Sequence, residues 1–216
     1  MKHYYLIVDT ETTRRDTVAD FGAVVVDRKG KIVDQFGALV LGHFGKFALF
    51  SDPSLDDSEF WSDQSAQRRQ KNYEAMLEAG QRSISSPALI QQWLWATNAR
   101  YAPVLTAYQL SFDFGKCEKT RINLGIFSES FCLMKAAKKS IGVLADYQDF
   151  CRDNFLLTKK LRKPQMTADA MAKYIIGEGL ADEPHTALED ARDYEAAILH
   201  YLLRSHTRKQ LLELGK

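Results

Sequence analysis

The chain opens on an unbroken apolar run, Tyr4-Tyr5-Leu6-Ile7-Val8, that passes directly into Asp9-Thr10-Glu11-Thr12-Thr13. A continuous apolar run of this length reads as a strand covered on both faces, and side chains two apart on it, Asp9 and Glu11, point the same way. The next two runs, Asp20 to Asp27 and Ile32 to Val40, are rich in β-branched and aromatic residues and are joined by Arg28-Lys29-Gly30, which predicts a hairpin. Between 43 and 65 the periodicity stops. Five acids collect there (Asp52, Asp56, Asp57, Glu59, Asp63) against Lys46 as the only cation, so an acidic surface loop or lid is expected.

Ser65 to Ala79 has helical composition and meets a stop at Gly80, and Ser86-Pro87 supplies a cap and first turn for a helix to about Arg100. Leu89, Ile90, Trp93 and Leu94 give that helix a stripe to bury. Val104 to Ala107 predicts a short strand leading into a helix that carries Asp113, and residues 130 to 134 predict another strand. Further helices are expected over about 142 to 156, 167 to 177 and 187 to 204. In the last, Ala187, Ala191, Tyr194 and Ile198 form an apolar face to press on the sheet. A meander followed by alternating strand and helix predicts one α/β domain over residues 1 to 216, with a mixed five-stranded sheet flanked by helices.

Composition refines this picture little. A net charge of +1 excludes no nucleic-acid role, because the local distribution matters more than the total. Residues 135 to 163 hold eight basic side chains against three acids, a stretch suited to facing phosphates or to a solvated helix and loop. Cys117, Cys132 and Cys151 are odd in number and form no Cys-x-x-Cys pair, which argues against a disulfide framework or a zinc site. The first apolar stretch ends at Asp9, too short for a signal peptide. No run approaches the roughly 18 apolar residues of a membrane span, so a cytoplasmic protein without membrane contact is expected.

Three fragments carry acids at set intervals: Asp9-Thr10-Glu11, Phe112-Asp113, and His185 with Asp190 five residues on. Four acids brought together would hold two hard divalent cations such as Mg²⁺ or Mn²⁺, which take oxygen ligands. His185, with an ordinary pKa near 6.5, is a candidate general base, kept neutral by adjacent dications and by the start of the following helix.

The order and setting of these fragments resemble the DEDDh branch of the 3′→5′ exonucleases, which includes polymerase proofreading subunits, RNase T and oligoribonuclease. The resemblance runs over roughly residues 4 to 204. It implies an RNase H-like fold and a two-metal hydrolysis of DNA or RNA from the 3′ end that releases nucleoside 5′-monophosphates. It also implies that Asp9 bridges two metals, that Glu11 and Asp190 bind the one carrying the attacking water, that Asp113 supports the other, and that His185 is the base. Substrate contacts are expected from Thr10, Thr12, Gln109 and Phe112, the last a better stacking candidate than Trp61, Trp93 or Trp95. Relatives commonly have Asn where this chain has Gln109, and Gly with an apolar residue where it has Arg14-Arg15-Asp16. Arg14 or Arg15 then become candidates to grip phosphate or stack on a base. A single-stranded or frayed 3′ end is the expected partner, with a polymerase or other replication or repair protein as a further candidate. The alternative is a nucleic-acid-binding or polymerase-associated subunit that uses the fold mainly for interaction.

Overall fold

In strand β1 (Tyr4–Thr12), Tyr5 and Ile7 pack on one side of the sheet and Leu6 and Val8 on the other, all fully buried. An apolar run without alternation demands this double cover. β2 (Val18–Asp27), buried along nearly its whole length, pairs antiparallel with β1, and β3 (Ile32–Val40) pairs antiparallel with β2. The computed structural model describes residues 3–51, 62–177 and 179–216, and the four acids Asp52, Asp56, Asp57 and Glu59, with Trp61, lie outside them. Beyond the meander, β5 (Val104–Ala107) runs parallel to β1 and β6 (Ser130–Cys132) parallel to β5.

The sheet has six strands, in the order β4-β3-β2-β1-β5-β6, where the sequence predicts five. The additional strand, β4 (Ser83–Ser85), adds parallel to β3 at the edge. Its three residues, Ser-Ile-Ser, are too few to show an alternating pattern, and Ile84 faces solvent. The mixed sheet with helices on both faces is the RNase H-like arrangement.

One face is covered by α2 (Pro87–Tyr101) and α3 (Leu110–Lys119), packing Ile90, Leu94 and Cys117 on Leu6, Val8 and Leu105. The other is covered by α4 (Leu133–Ser140), α5 (Ala145–Asp153), α6 (Ala168–Ile176) and a long C-terminal helix, with α9 (Arg208–Leu214) beyond it. That long helix begins as α7 (Ala187–Glu189), passes through a π-helical segment (Asp190–Glu195) and continues as α8 (Ala196–Ser205). Among the described residues no helix is long and apolar enough to cross a membrane.

Several expectations shift. Leu89 is 55% exposed and Gln91 takes the buried position on α2, accepting the Asn123 N–H through its own side chain. The strand expected over 130 to 134 stops at Cys132 because α4, absent from the sequence reading, begins at Leu133. α9 was also unforeseen. It is closed by a capping box between Thr207 and Gln210 and explains part of the basic stretch, since Lys135 and Lys139 donate to the carbonyls of Lys216 and Leu214 near its C-terminal end. α1 (Asp63–Glu78) starts at Asp63 with Ser62 as its cap, so the helix claims the last residues of the 43 to 65 segment. Residues 48 to 50 pair with Thr12 to Arg14 through the Phe50 and Arg14 N–H groups. All three cysteines are free and buried.

Candidate active site

The site forms where β1 runs out of apolar residues. Asp9 and Glu11 continue the face defined by Tyr5 and Ile7, the face on which α7 and the π segment lie. Across the ladder Asp9 pairs with Gly22 and Glu11 with Asp20. Gly22 has a steric reason: a Cβ there would stand 2.2 Å from the Ala187 carbonyl carbon and 2.3 Å from the Leu188 nitrogen. The missing side chain lets the helix backbone touch the strand beside Asp9, and this contact seats Asp190 over the acids of β1.

Glu11, His185 and Asp190 bring one ligand atom each within 4.8 Å of one another. His185 Nδ1 is 3.9 Å from Glu11 Oε1. With Asp9, Thr10, Thr12, Phe112, Phe50, Lys116 and Glu183 they line a cavity of about 240 Å³. Asp113 lies just behind, buried on α3, and its Oδ1 accepts the Thr10 hydroxyl at 2.8 Å. Asp190 Oδ1 is buried with no hydrogen-bond partner among the described residues.

So many acids in one place oppose each other's ionisation. Burial, then Glu195, Asp113 and Asp190, push Asp9 well above the usual carboxylate range. Burial, together with Glu183 and Glu11, raises Asp190 to about 10. Glu11 rises to about 8 through burial, resisted by the Arg69 cation, and Asp113 rises to about 7 through burial, resisted by the Thr10 hydrogen bond. His185 moves the other way, down to about 4, because burial and Arg69 both disfavour imidazolium. The protein environment alone therefore favours the neutral imidazole at pH 7, before any dication or helix terminus contributes.

His185 adopts a left-handed backbone (φ 54°), a conformation that costs a non-glycine residue on the order of 1–3 kcal/mol and persists where its surroundings hold it. Here the surroundings do so, as the Tyr73 hydroxyl donates to the His185 carbonyl at 3.3 Å.

Two acids went unnoticed in the sequence. Glu195 is buried, accepts the Tyr108 N–H at 3.2 Å and is the first charge bearing on Asp9. Five residues separate it from Asp190, which in an α-helix would put the two roughly 140° apart. The π segment, with its i→i+5 bonding, returns them to nearly the same face. The available signal was a charged residue inside the apolar stripe of Ala191, Tyr194 and Ile198. Glu183, two residues before His185, lines the cavity with its carboxyl raised to about 7 by burial and Asp169.

Of the expected substrate contacts, Thr10, Thr12 and Phe112 line the cavity, although the Thr10 hydroxyl is engaged with Asp113. Phe112 is 40% exposed, and Lys116 Nζ lies 4.6 Å from its ring centroid. Gln109 occupies the position before α3 without a side-chain capping bond, is exposed and does not line the cavity. Arg14 pairs with Asp63 and Ser51 at a separate open depression, and Arg15 is exposed. Asp16 is held by Lys116 and Lys119 at 2.7 and 3.0 Å.

No protein-family model matches the chain, and no curated protein matches it. Among solved structures it is similar to E. coli Exonuclease I in complex with a 5cy-dT13 oligonucleotide, with a TM-score of 0.54 at 13% identity over 99% of this chain and 42% of that one. The chain thus spans less than half the length of that protein. It also matches Exonuclease X in complex with 5′ overhanging duplex DNA, with a TM-score of 0.45 at 16% identity over 98% of this chain and 99% of that one. At such identities the likeness to Exonuclease I is one of fold, and it agrees with the mixed sheet and flanking helices described above.

Proposed function

We propose that this protein is a metal-dependent 3′→5′ exonuclease that removes nucleoside 5′-monophosphates from single-stranded or frayed ends. One observation carries the reading: Asp9, Glu11 and Asp190 line one cavity with a neutral His185, Asp113 is tied to the Thr10 of the same lining, and one buried oxygen of the set, Asp190 Oδ1, has no partner among the described residues. An interaction module needs no such concentration of acids. The shared fold with a protein named as an exonuclease is consistent with the reading but does not assign an activity, since one fold hosts many chemistries.

The donor set fits divalent metal. Carboxylate oxygens suit Mg²⁺ or Mn²⁺, and the pKa values of the four acids, raised first by burial and for Asp9, Glu11 and Asp190 also by neighbouring acids, mark charges that cations would stabilise. Two such ions, held by Asp9, Glu11, Asp113 and Asp190, would stabilise the charge on attacking and leaving oxygens in an in-line displacement at phosphorus. His185 accepts the proton of the attacking water as the new P–O bond forms. The bond from phosphorus to the 3′-oxygen of the preceding nucleotide breaks, and that oxygen is protonated from solvent. Thr10 fixes the rotamer of Asp113. Phe112, half open to the cavity mouth, offers a ring to the terminal base.

Matched 5′-labelled DNA and RNA oligonucleotides incubated with Mg²⁺ or Mn²⁺ test the proposal. The expected product is a ladder shortened from the 3′ end, and the preferred sugar identifies the natural substrate. Labelled mononucleotide released from the 5′ end, or no cleavage of either polymer, would overturn it.

A further inference from the structure

Behind the cavity lies a buried polar network that the proposed chemistry does not use. Arg82, at the entrance to β4, has a side chain only 1% exposed. Its Nε lies 3.3 Å from Asp20 Oδ1, and its Nη1 donates to Glu189 Oε1 at 3.0 Å while Nη2 pairs with Glu189 Oε2. Asp20 is fully buried in β2, directly across the ladder from Glu11. Its Oδ2 accepts the Ala187 N–H at 3.0 Å. The Tyr73 hydroxyl, from α1, donates to the His185 carbonyl at 3.3 Å and also bears on the Asp20 carboxylate, favouring its ionised form.

These contacts converge on five consecutive residues. His185 is held through its carbonyl, Ala187 through its N–H and Glu189 through its carboxylate, and Asp190 follows at once. A buried carboxylate and guanidinium are retained against a desolvation cost, and replacing them by apolar groups is often no loss to stability, so stability alone is weak grounds for keeping them. Their geometry offers another reason. His185 occupies a left-handed backbone conformation that needs support, and groups that orient metal-binding side chains govern how well those side chains bind.

We infer that Arg82, Asp20 and Tyr73 are positioning residues: they form a clamp that ties the His185–Asp190 segment to β2, α1 and β4 and so sets the placement of the base and of one metal-binding carboxylate. This inference rests on the nuclease reading above. It also assigns a role to β4, the edge strand whose sequence shows no pattern of its own, because its entrance delivers Arg82.

Two near-isosteric substitutions test it: Tyr73→Phe, which removes a single hydroxyl, and Asp20→Asn, which removes one charge. Each purified full-length variant is checked for a cooperative melt, titrated calorimetrically with Mn²⁺, and assayed on an oligonucleotide. The expected result is a Mn²⁺ dissociation constant raised about tenfold or more and kcat lowered by a similar factor, with KM for the oligonucleotide within twofold of wild type. Should Asp20→Asn fail to fold, Tyr73→Phe alone decides. A folded Tyr73→Phe with wild-type Mn²⁺ affinity and kcat would reduce the network to a fold support and overturn the inference while leaving the nuclease reading intact. A wild-type protein that neither binds Mn²⁺ nor cleaves would instead overturn the nuclease reading, and the inference with it.

Discussion

Gly22→Ala is the substitution that most directly separates sheet from site. Its Cβ would lie 2.2 Å from the Ala187 carbonyl carbon, 2.3 Å from the Ala187 oxygen and 2.3 Å from the Leu188 nitrogen. All three are backbone atoms, so no rotamer change relieves the clash. Real contacts essentially never fall below 3.0 Å and ordinary ones begin at 3.4 Å, so the helix and β2 must separate by at least 0.8 Å, and by 1.2 Å for an ordinary contact. Overpacking of this kind costs about 1–3 kcal/mol, more than the roughly 0.5–1 kcal/mol that alanine gains over glycine in a strand. The net loss of up to about 2.5 kcal/mol lowers the melting temperature of a chain of this size by up to about 10 °C. The effect on rate should be larger, because a displacement of about 1 Å in a catalytic group can cost on the order of 100-fold. Single-turnover cleavage with Mn²⁺ saturating measures it, with Gly115→Ala, whose Cβ would meet nothing within 4 Å, as the control. A Gly22→Ala protein with wild-type melting temperature and a rate within threefold of wild type would refute the seating of the helix on Gly22.

His185→Ala should keep the Mn²⁺-induced rise in melting temperature yet lose about 10²- to 10⁴-fold in kcat, and a single-turnover rate within threefold of wild type would remove it from the mechanism. In the metal-free protein the carboxyls of Asp113 (about 7), Glu11 (about 8) and Asp190 (about 10) bind protons more tightly folded than unfolded, where carboxyls titrate near 4. The stability they contribute is fully present below about pH 4 and is lost as pH rises through those folded values. Thermal melts in EDTA from pH 5 to pH 9 should therefore show a falling midpoint that flattens in Asp190→Asn, and an identical slope in that variant would contradict the assignment. Phe112→Ala should raise KM for an oligonucleotide roughly fivefold or more with little change in kcat, as expected for loss of about 1–3 kcal/mol of base stacking. An unchanged KM would remove Phe112 from the substrate surface.

The strands and their shared acids were legible because they follow local rules. An apolar run without alternation must be covered twice, and β1 is. Asp9 and Glu11, two apart, had to share a face, and Ala187, Ala191, Tyr194 and Ile198 had to be buried once a helix formed. What stayed hidden depends on distant partners. Asp20 reads as the polar edge of a strand until Arg82, 62 residues away, is seen to pair with it. Leu89 fits an apolar stripe, yet it is exposed, and the buried position goes to Gln91, whose side chain bonds the Asn123 backbone in both directions. Glu195 is off the Asp190 face by α-helical counting and returns to it only because the helix widens to a π turn, which no spacing rule announces. β4 forms because β3 presents an open edge to it, not because Ser-Ile-Ser favours a strand.

Calorimetric titration of Mn²⁺ into the wild-type protein and into an Asp9→Asn, Asp190→Asn double variant, with oligonucleotide hydrolysis followed in the same samples, tests the carboxylate cage most directly. The wild type should bind close to two Mn²⁺ per chain, release protons as the raised carboxyls ionise, and cleave in proportion to occupancy. The double variant should fold, lose that binding and leave the oligonucleotide intact. Equal Mn²⁺ binding in the double variant, or wild-type cleavage undiminished in excess EDTA, would contradict a two-metal site built on these acids.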